Sequence, residues 1–283
     1  MSSIRPTVQR FARGDLEMRV RRLDAASSVS LDTIVLVHGI GVSSRYFSRL
    51  ALDLAATATV IAIDLPGFGP NKRPRRQLSV EDLGGLVAEY LVTAGISSPL
   101  LIGHSMGAQV VVETARRMSA AGLVLIGPVV DERAPTAVQQ GMRLARDVAH
   151  ETPSSNWIVL TDYLRSGIRW YLTELPAMLG YRIEETLPLV DVPVLVLRGA
   201  KDRVAPEGWA RSLARRASGS RVVSVPGAGH VVQHTATAAV AAEVRGFVSQ
   251  IRAVSLRDAG AASSSGADSV EQPSARPAGT SRP

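Results

Sequence analysis

The chain has 283 residues, of which 46% are hydrophobic and 20% are charged, so it is long enough to bury the core of one substantial domain with a smaller insertion. The absence of cysteine excludes thiol nucleophiles, disulfides and thiolate metal sites. The formal net charge of +7 does not indicate nucleic-acid binding, because the arginines are spread along the chain and the densest basic cluster, Lys72 to Arg76, has no aromatic residues interleaved for base stacking.

Targeting and membrane signals are weak in this sequence. The N-terminal residues lack the apolar stretch of a signal peptide, and no apolar run approaches the roughly 18 residues of a membrane span. We therefore expect a cytoplasmic protein without a membrane span, and the sequence does not indicate its oligomeric state.

The first half of the chain predicts a hairpin followed by alternating strands and helices. Alternating polarity around Gly14-Asp15 predicts antiparallel strands from Val8 to Ala12 and Leu16 to Leu23. Continuous aliphatic runs then predict strands buried on both faces, and helical patterns lie between them, so we expect a parallel sheet with right-handed crossovers. The strands are Thr33 to Val37, Val60 to Ile63, Leu100 to Ile102 and Leu123 to Ile126, and the helices are Arg45 to Ala56, Val80 to Thr93 and Met106 to Met118.

The strand pattern stops at Asp131, and aromatic residues at helical spacing predict a helical cap over residues 131–188. Residues 1–130 and 189–254 are predicted to form an α/β core with a mostly parallel eight-stranded sheet flanked by helices. Residues 255–283, rich in Ala, Ser, Gly and Pro, are predicted to be a disordered tail. The cap helices are expected at Thr136 to Ala149, Asn156 to Gly167 and Ile168 to Leu179; the later core strands are Val194 to Arg198 and Arg221 to Val225, and the later core helices are Pro206 to Ala217 and Thr235 to Ile251.

Ser105 lies in the segment Gly103-His104-Ser105-Met106-Gly107, directly after a predicted buried strand and before a predicted helix. A serine on such a sharp turn is held in strained backbone geometry, and the flanking glycines let strand and helix approach each other. The helix also directs its N-terminal amides toward the same place, which favours the negative charge that develops in acyl transfer. We predict that Ser105 is a nucleophile.

A serine nucleophile needs a base, and His230 is the strongest candidate among the five histidines. It follows the last predicted strand in a glycine-rich loop, where its side chain can reach over the carboxyl edge of the sheet. His104 is expected to point away from the cleft, and His38 to hold a loop by hydrogen bonding. His230 and His234 have a spacing that suits two metal ligands, but no acidic residue or third histidine accompanies them, so we predict no metal site.

The base in turn needs a carboxylate that fixes its tautomer. Asp202 is the favoured candidate, because it follows the predicted strand Val194 to Arg198 after a short loop at the same edge of the sheet. Asp131 is the alternative, because it can approach His230 from the neighbouring strand that ends at Ile126. Both acids satisfy the chain order Ser, Asp, His.

Two backbone amides are expected to hold the oxyanion, one from Met106 after the nucleophile and one from Ile40 in the early glycine-containing loop. An alternative is that Gly39 and Gly41 begin a dinucleotide fingerprint, with Asp64 as a ribose ligand. The third glycine of that fingerprint is absent, and this alternative leaves the turn around Ser105 without a purpose.

Four features together resemble the α/β-hydrolase family, and the likeness extends from Thr7 to about Ile251. The resemblance implies an oxyanion loop, a DxPGxG turn, a nucleophile elbow, and a triad acid and base. A serine at the elbow, rather than aspartate, is unlike the haloalkane dehalogenase and epoxide hydrolase branches and implies acyl-transfer chemistry. The matching segments are His38-Gly39-Ile40-Gly41, Asp64-Leu65-Pro66-Gly67-Phe68-Gly69, Gly103 to Gly107, and the loops of Asp202 and His230.

The sequence therefore predicts a serine hydrolase that cleaves an ester, thioester or lactone of a small-molecule acyl substrate through an acyl-enzyme, without a cofactor. The cap is expected to cover the cleft, with Trp157, Trp170, Tyr171 and Met178 as candidate substrate-binding residues. Two alternatives stay open: a carbon-carbon bond hydrolase that uses the same triad, and a non-catalytic relative that binds a small ligand.

Overall fold

The computed structural model describes residues 6–26, 33–132, 157, 161–162 and 167–265. Its centre is an eight-stranded sheet in which the strands lie in the order β1-β2-β4-β3-β5-β6-β7-β8. In chain order the strands are β1 (Thr7–Arg13), β2 (Leu16–Leu23), β3 (Thr33–Val37), β4 (Thr59–Asp64), β5 (Leu100–His104), β6 (Gly122–Ile126), β7 (Val194–Gly199) and β8 (Arg221–Val225).

Helices connect these strands and cover the sheet. Two 3-10 turns, at Ser44–Phe47 and Leu187–Leu189, accompany them. The helices are α1 (Ser48–Leu54), α2 (Val80–Thr93), α3 (Met106–Ala115), α4 (Ile168–Gly180), α5 (Ile183–Thr186), α6 (Glu207–Ala214), α7 (Val232–Thr235) and α8 (Thr237–Ser265). Among the described residues, no helix is both long enough and apolar enough to cross a membrane.

The strand directions confirm the predicted mostly parallel sheet. β1 pairs with β2, and β2 with β4, in antiparallel register. The five remaining pairs, from β4 through β3, β5, β6 and β7 to β8, are parallel. The N-terminal hairpin is therefore the antiparallel edge of the sheet, and its strands have the predicted bounds to within one residue at each end.

The central strands are buried on both faces, which explains why their sequences are continuous aliphatic runs. In β3, Val35 and Val37 pack into the core layer beneath α2 and α3, whereas Ile34 and Leu36 face the layer beneath α1 and α8. The parallel strands all end at one edge of the sheet. The loops at that edge carry Ile40 after β3, Ser105 after β5, Asp202 after β7 and His230 after β8.

Four helices differ from their predicted bounds by two residues or more. Two of them end three residues early, α3 at Ala115 rather than Met118 and α6 at Ala214 rather than Ala217. The helix predicted from Arg45 to Ala56 begins as a 3-10 turn and becomes α-helical only at Ser48. The closing helix α8 runs to Ser265, so the first residues of the predicted disordered tail, 255–265, are helical. The extension includes Ala259, Ala261 and Ala262, and lengthening an existing helix needs no new nucleus. The predicted helix Thr136 to Ala149 and residues 266–283 lie outside the described residues.

Candidate active site

Ser105 occupies the turn between β5 and α3 with φ 58° and ψ −123°, a conformation that non-glycine residues rarely adopt. Its amide donates a hydrogen bond to the carbonyl of Ile126, with N and O 2.9 Å apart. A Cβ atom on Gly103 would collide with the backbone of Gly107, and one on Gly107 would collide with the backbone of Val37. The two glycines thus permit the close packing that holds Ser105 at the edge of the sheet.

His230 and Asp202 form a buried pair at the same edge. Nδ1 of His230 lies 3.0 Å from Oδ2 of Asp202, and the two residues are only 5% and 2% exposed. The other carboxylate oxygen of Asp202 accepts hydrogen bonds from the amides of Val204 and Ala205, at 2.8 and 2.9 Å. Burial raises the pKa of Asp202, but the charge of His230 and these hydrogen bonds outweigh it and bring the pKa below its ordinary value. Asp202 is therefore an anion that holds one nitrogen of the imidazole.

Gly127, which the motifs in the sequence did not point to, connects this pair to the serine turn. Its φ is +51°, and a Cβ atom there would lie 3.0 Å from the His230 ring and 3.1 Å from Oδ2 of Asp202. The preceding residue, Ile126, accepts the amide of Ser105. One short backbone segment after β6 thus contacts the serine turn on one side and the His230–Asp202 pair on the other. Asp131, the alternative acid, is buried a few residues further along this segment.

The loop that follows β3, residues 38–43, lies directly against Ser105. A Cβ atom on Gly39 would be 2.9 Å from Cβ of Ser105 and 3.3 Å from its Oγ. The Gly39 amide is already engaged, because it donates to the hydroxyl of Tyr46 at 3.0 Å. The amides of Ile40 and Met106 have no acceptor among the described residues, as two oxyanion donors require.

His38 and Asp64 form a buried frame beneath this loop. Nδ1 of His38 lies 2.7 Å from the carbonyl of Gly39, and its Nε2 accepts the amide of Leu65 at 3.0 Å, so His38 holds the loop as expected. Burial lowers the pKa of His38, which keeps the ring neutral. Oδ1 of Asp64 accepts the amide of Ser44 at 2.6 Å, and the side chain is fully buried. An engaged, buried Asp64 is unavailable to a ribose, which removes the support for a dinucleotide site.

Asp162, which no sequence motif indicates, contacts the loop that follows β3. Its Oδ2 accepts hydrogen bonds from the amide of Ser43 at 3.0 Å and from the Ser43 hydroxyl at 2.6 Å. Its Oδ1 accepts from the guanidinium of Arg45 at 3.0 Å. Asp162 is 2% exposed, so a carboxylate from the insertion is buried against the loop that carries Ile40.

The four aromatic and sulfur-containing residues predicted in the cap have different environments. Trp170 and Met178 of α4 are buried in the core layer that includes Phe68 and Met106, and Tyr171 packs against it while half-buried. The Trp170 indole lies against Gly67, where any side chain would collide with it. Trp157 does not join this group, because 67% of its surface is exposed.

The α4 backbone also contacts the helix that follows the serine. The side-chain amide of Gln109, which is fully buried, donates to the carbonyl of Met178 at 3.0 Å. The described part of the insertion is thus joined to the core through Gln109, Gly67 and Ser43.

His234, four positions after His230, is buried beside Arg49, and burial lowers its pKa below the ordinary value. Among residues 6–26, 33–132, 157, 161–162 and 167–265, no group of three or more His, Asp or Glu side chains is arranged to hold a metal ion.

Comparisons with known proteins agree with this architecture. The sequence profile of the alpha/beta hydrolase family matches residues 34–243. A pimeloyl-[acyl-carrier protein] methyl ester esterase of Neisseria meningitidis serogroup B is 31% identical over 256 residues, which cover 82% of this chain and 98% of that protein.

Solved structures with the same fold include esterases and a lactonase. The enol-lactonase from Burkholderia xenovorans LB400 superimposes with a TM-score of 0.73 at 21% identity, over 85% of this chain and all of that chain (100%). A thermophilic esterase from Thermogutta terrifontis gives a TM-score of 0.72 at 20% identity, over 87% and 99% of the two chains. With its eight-stranded sheet and the family profile across most of its length, the chain belongs to the alpha/beta hydrolase family and is an enzyme of the hydrolase class.

Proposed function

We propose that the protein is a serine esterase in which Ser105 is the nucleophile, His230 the general base and Asp202 the orienting acid. The observation that carries this proposal is the segment Ile126–Gly127, which contacts both the strained Ser105 turn and the buried His230–Asp202 pair. A nucleophile, a base and an oriented carboxylate at one sheet edge are the three groups that acyl transfer needs.

The first step is attack of Ser105 on the ester carbonyl. Asp202 occupies Nδ1 of His230, which leaves Nε2 as the nitrogen that accepts the serine proton. A tetrahedral intermediate forms and then collapses as the imidazolium donates its proton to the leaving alcohol. The acyl group remains on Ser105, and a water molecule deprotonated by His230 releases it as the acid.

The amides of Ile40 and Met106 stabilise the negative oxygen of each tetrahedral intermediate. Their lack of an acceptor among the described residues supports this role, because such donors need no rearrangement when charge develops. Met106 is also the first residue of α3, so the positive end of the helix dipole adds to the stabilisation.

We infer that residues 131–188 act as a cap that selects the acyl or alcohol group. Trp170, Tyr171 and Met178 supply apolar surface close to the turn of Phe68, whereas the exposed Trp157 lies toward the outside. A small or medium uncharged ester, thioester or lactone suits such a surface. The meningococcal relative is named for the methyl ester of an acyl chain, which supports simple alkyl esters of acyl groups as the first substrates to test.

A panel of p-nitrophenyl esters of increasing acyl length tests the proposal. We expect hydrolysis by the parent protein and a loss of at least about 10³-fold in kcat for Ser105→Ala, because the nucleophile is removed. Ser98→Ala is the matched control, since Ser98 is an exposed serine that also has a positive φ, 46°, and lies at the opposite end of β5. Equal activity of parent and Ser105→Ala contradicts the proposal, as does a parent protein that hydrolyses no ester.

A further inference from the structure

A continuous chain of hydrogen bonds connects the three loops assigned to the reaction. The amide of Gly39, in the oxyanion loop, donates to the hydroxyl of Tyr46 with N and O 3.0 Å apart. That hydroxyl lies 2.8 Å from Nδ1 of His104, the residue before the nucleophile. Nε2 of His104 lies 3.0 Å from the backbone carbonyl of His230.

The direction of every bond in this chain is determined by its two ends. A backbone carbonyl only accepts, so Nε2 of His104 carries the proton and donates it to His230. Burial and the neighbouring His230 lower the pKa of His104 to about 3, so the ring is neutral and its Nδ1 is an acceptor. The Tyr46 hydroxyl therefore donates to Nδ1, and its oxygen accepts the Gly39 amide.

The members of this chain are buried and packed against each other. Tyr46 is 1% exposed and His104 is 3% exposed. The His104 ring stands edge-on to Tyr46 at a centroid distance of 5.3 Å and lies against His230 at 4.7 Å. Because these groups are buried away from water, losing one hydrogen bond leaves a polar group without a partner. The hydrogen-bonded groups are therefore held in a single arrangement of donors and acceptors.

We propose that Tyr46 and His104 are positioning residues that fix the oxyanion loop, the nucleophile turn and the base relative to one another. The inference rests on the proposed function, because it concerns the alignment of Ile40, Ser105 and His230. Gly39 immediately precedes Ile40, and His104 immediately precedes Ser105. A shift in the backbone of Gly39 or His104 therefore displaces the oxyanion donor or the nucleophile. Misplacement by about 1 Å costs roughly 10²-fold in rate.

Tyr46→Phe removes the shared hydroxyl and keeps the buried ring. We expect kcat for a p-nitrophenyl ester to fall about 10- to 100-fold, while KM changes less than about threefold, because alignment rather than binding is lost. Tyr90→Phe is the matched control: Tyr90 is also buried, and its hydroxyl accepts a hydrogen bond from Gln9 of the edge strand β1 at 2.6 Å. Tyr46→Phe loses the two hydrogen bonds of its hydroxyl and Tyr90→Phe the one from Gln9, but only Tyr46→Phe is expected to lose kcat.

Substitution of His104 separates hydrogen bonding from ring packing. The side chain of glutamine offers one acceptor and one donor, so His104→Gln can replace both bonds, whereas His104→Leu can make neither. We expect His104→Gln to retain kcat within about fivefold of the parent and His104→Leu to lose about 10²-fold. Equal losses in the two variants would assign His104 a packing role and contradict the proposal.

A double variant and hydrogen exchange complete the test. If the hydrogen bonds from Gly39 to His230 act as a unit, the double variant Tyr46→Phe with His104→Leu loses no more kcat than the worse single variant. Additive losses overturn the inference.

Hydrogen-deuterium exchange at Gly39 is expected to be faster in Tyr46→Phe than in the parent, and this readout does not depend on activity. A parent protein that hydrolyses no ester contradicts the proposed function alone, whereas unchanged exchange or unchanged kcat in Tyr46→Phe contradicts the inference.

Discussion

Asp202 differs from Asp131 in how its two carboxylate oxygens are used. One oxygen contacts Nδ1 of His230 at 3.0 Å, and the other accepts two backbone amides, which orient the carboxylate. Asp202→Asn keeps the shape of the side chain but removes the charge that fixes the imidazole tautomer, so we expect kcat to fall by about 10⁴-fold. Asp131→Asn is the matched control, and ester kinetics should show it within about threefold of the parent. A larger loss in Asp131→Asn would assign the acid to the other strand.

At the scale of single residues, the predictable features were those with local signals. Ser105 and Asp202 follow buried strands and His230 follows the partly buried β8, each in a short loop with a characteristic composition, which a sequence displays directly. Tyr46 was not predictable, because its role depends on contact with His104, 58 positions away. Gly127 could have been noticed as a glycine directly after a buried strand, a position where a positive φ is common.

Among the elements, the contact between Asp162 and the loop after β3 has consequences for the site. Asp162→Ala leaves the amide and hydroxyl of Ser43 and the guanidinium of Arg45 without this acceptor. We expect a loss of about 1–3 kcal/mol in the free energy of unfolding, measured by urea denaturation. Because the same loop carries Ile40, kcat should also fall by about tenfold or more.

Asp162→Asn is the control for charge, since an amide oxygen can still accept from Ser43 while the ion pair with Arg45 is lost. We expect its stability and kcat to lie between those of the parent and Asp162→Ala. Parent-like values in Asp162→Ala would show that the loop keeps its position without the insertion.

Glu174 of α4 provides a pH-dependent contact between the insertion and the core. Its Oε1 accepts the amide of Leu78 at 3.1 Å, and burial raises the pKa of its carboxyl to about 7. The protonated form therefore favours the folded state: its contribution is complete below the ordinary pKa near 4.5 and is lost as the pH rises to about 7.

Glu174→Gln keeps the acceptor and removes the charge, so we expect it to be more stable than the parent at pH 8 by about 1–3 kcal/mol, and not at pH 4. Urea denaturation at several pH values measures the difference. Glu185→Gln, at an exposed carboxylate of the neighbouring helix α5, should follow the parent at every pH. A difference between Glu174→Gln and the parent that does not change with pH would contradict this account.

At the scale of the whole molecule, the sheet could be predicted because its central strands are buried on both faces. The aliphatic runs of β3, β5, β6 and β7 have no polar alternation, and the helical patterns between them require parallel crossovers. What the sequence could not predict is how the insertion is joined to the core. Asp162 and Ser43 are 119 positions apart, and no periodicity relates them.

The central claim is that Ser105 is an activated nucleophile, and covalent labelling with a fluorophosphonate measures this most directly. The reagent attaches to a serine only when a base and oxyanion donors surround its hydroxyl. We predict that intact-protein mass spectrometry finds one label per chain, that peptide mapping assigns it to Ser105, and that Ser105→Ala is unlabelled. A parent protein that remains unlabelled, or a label on another residue that persists in Ser105→Ala, would contradict the account.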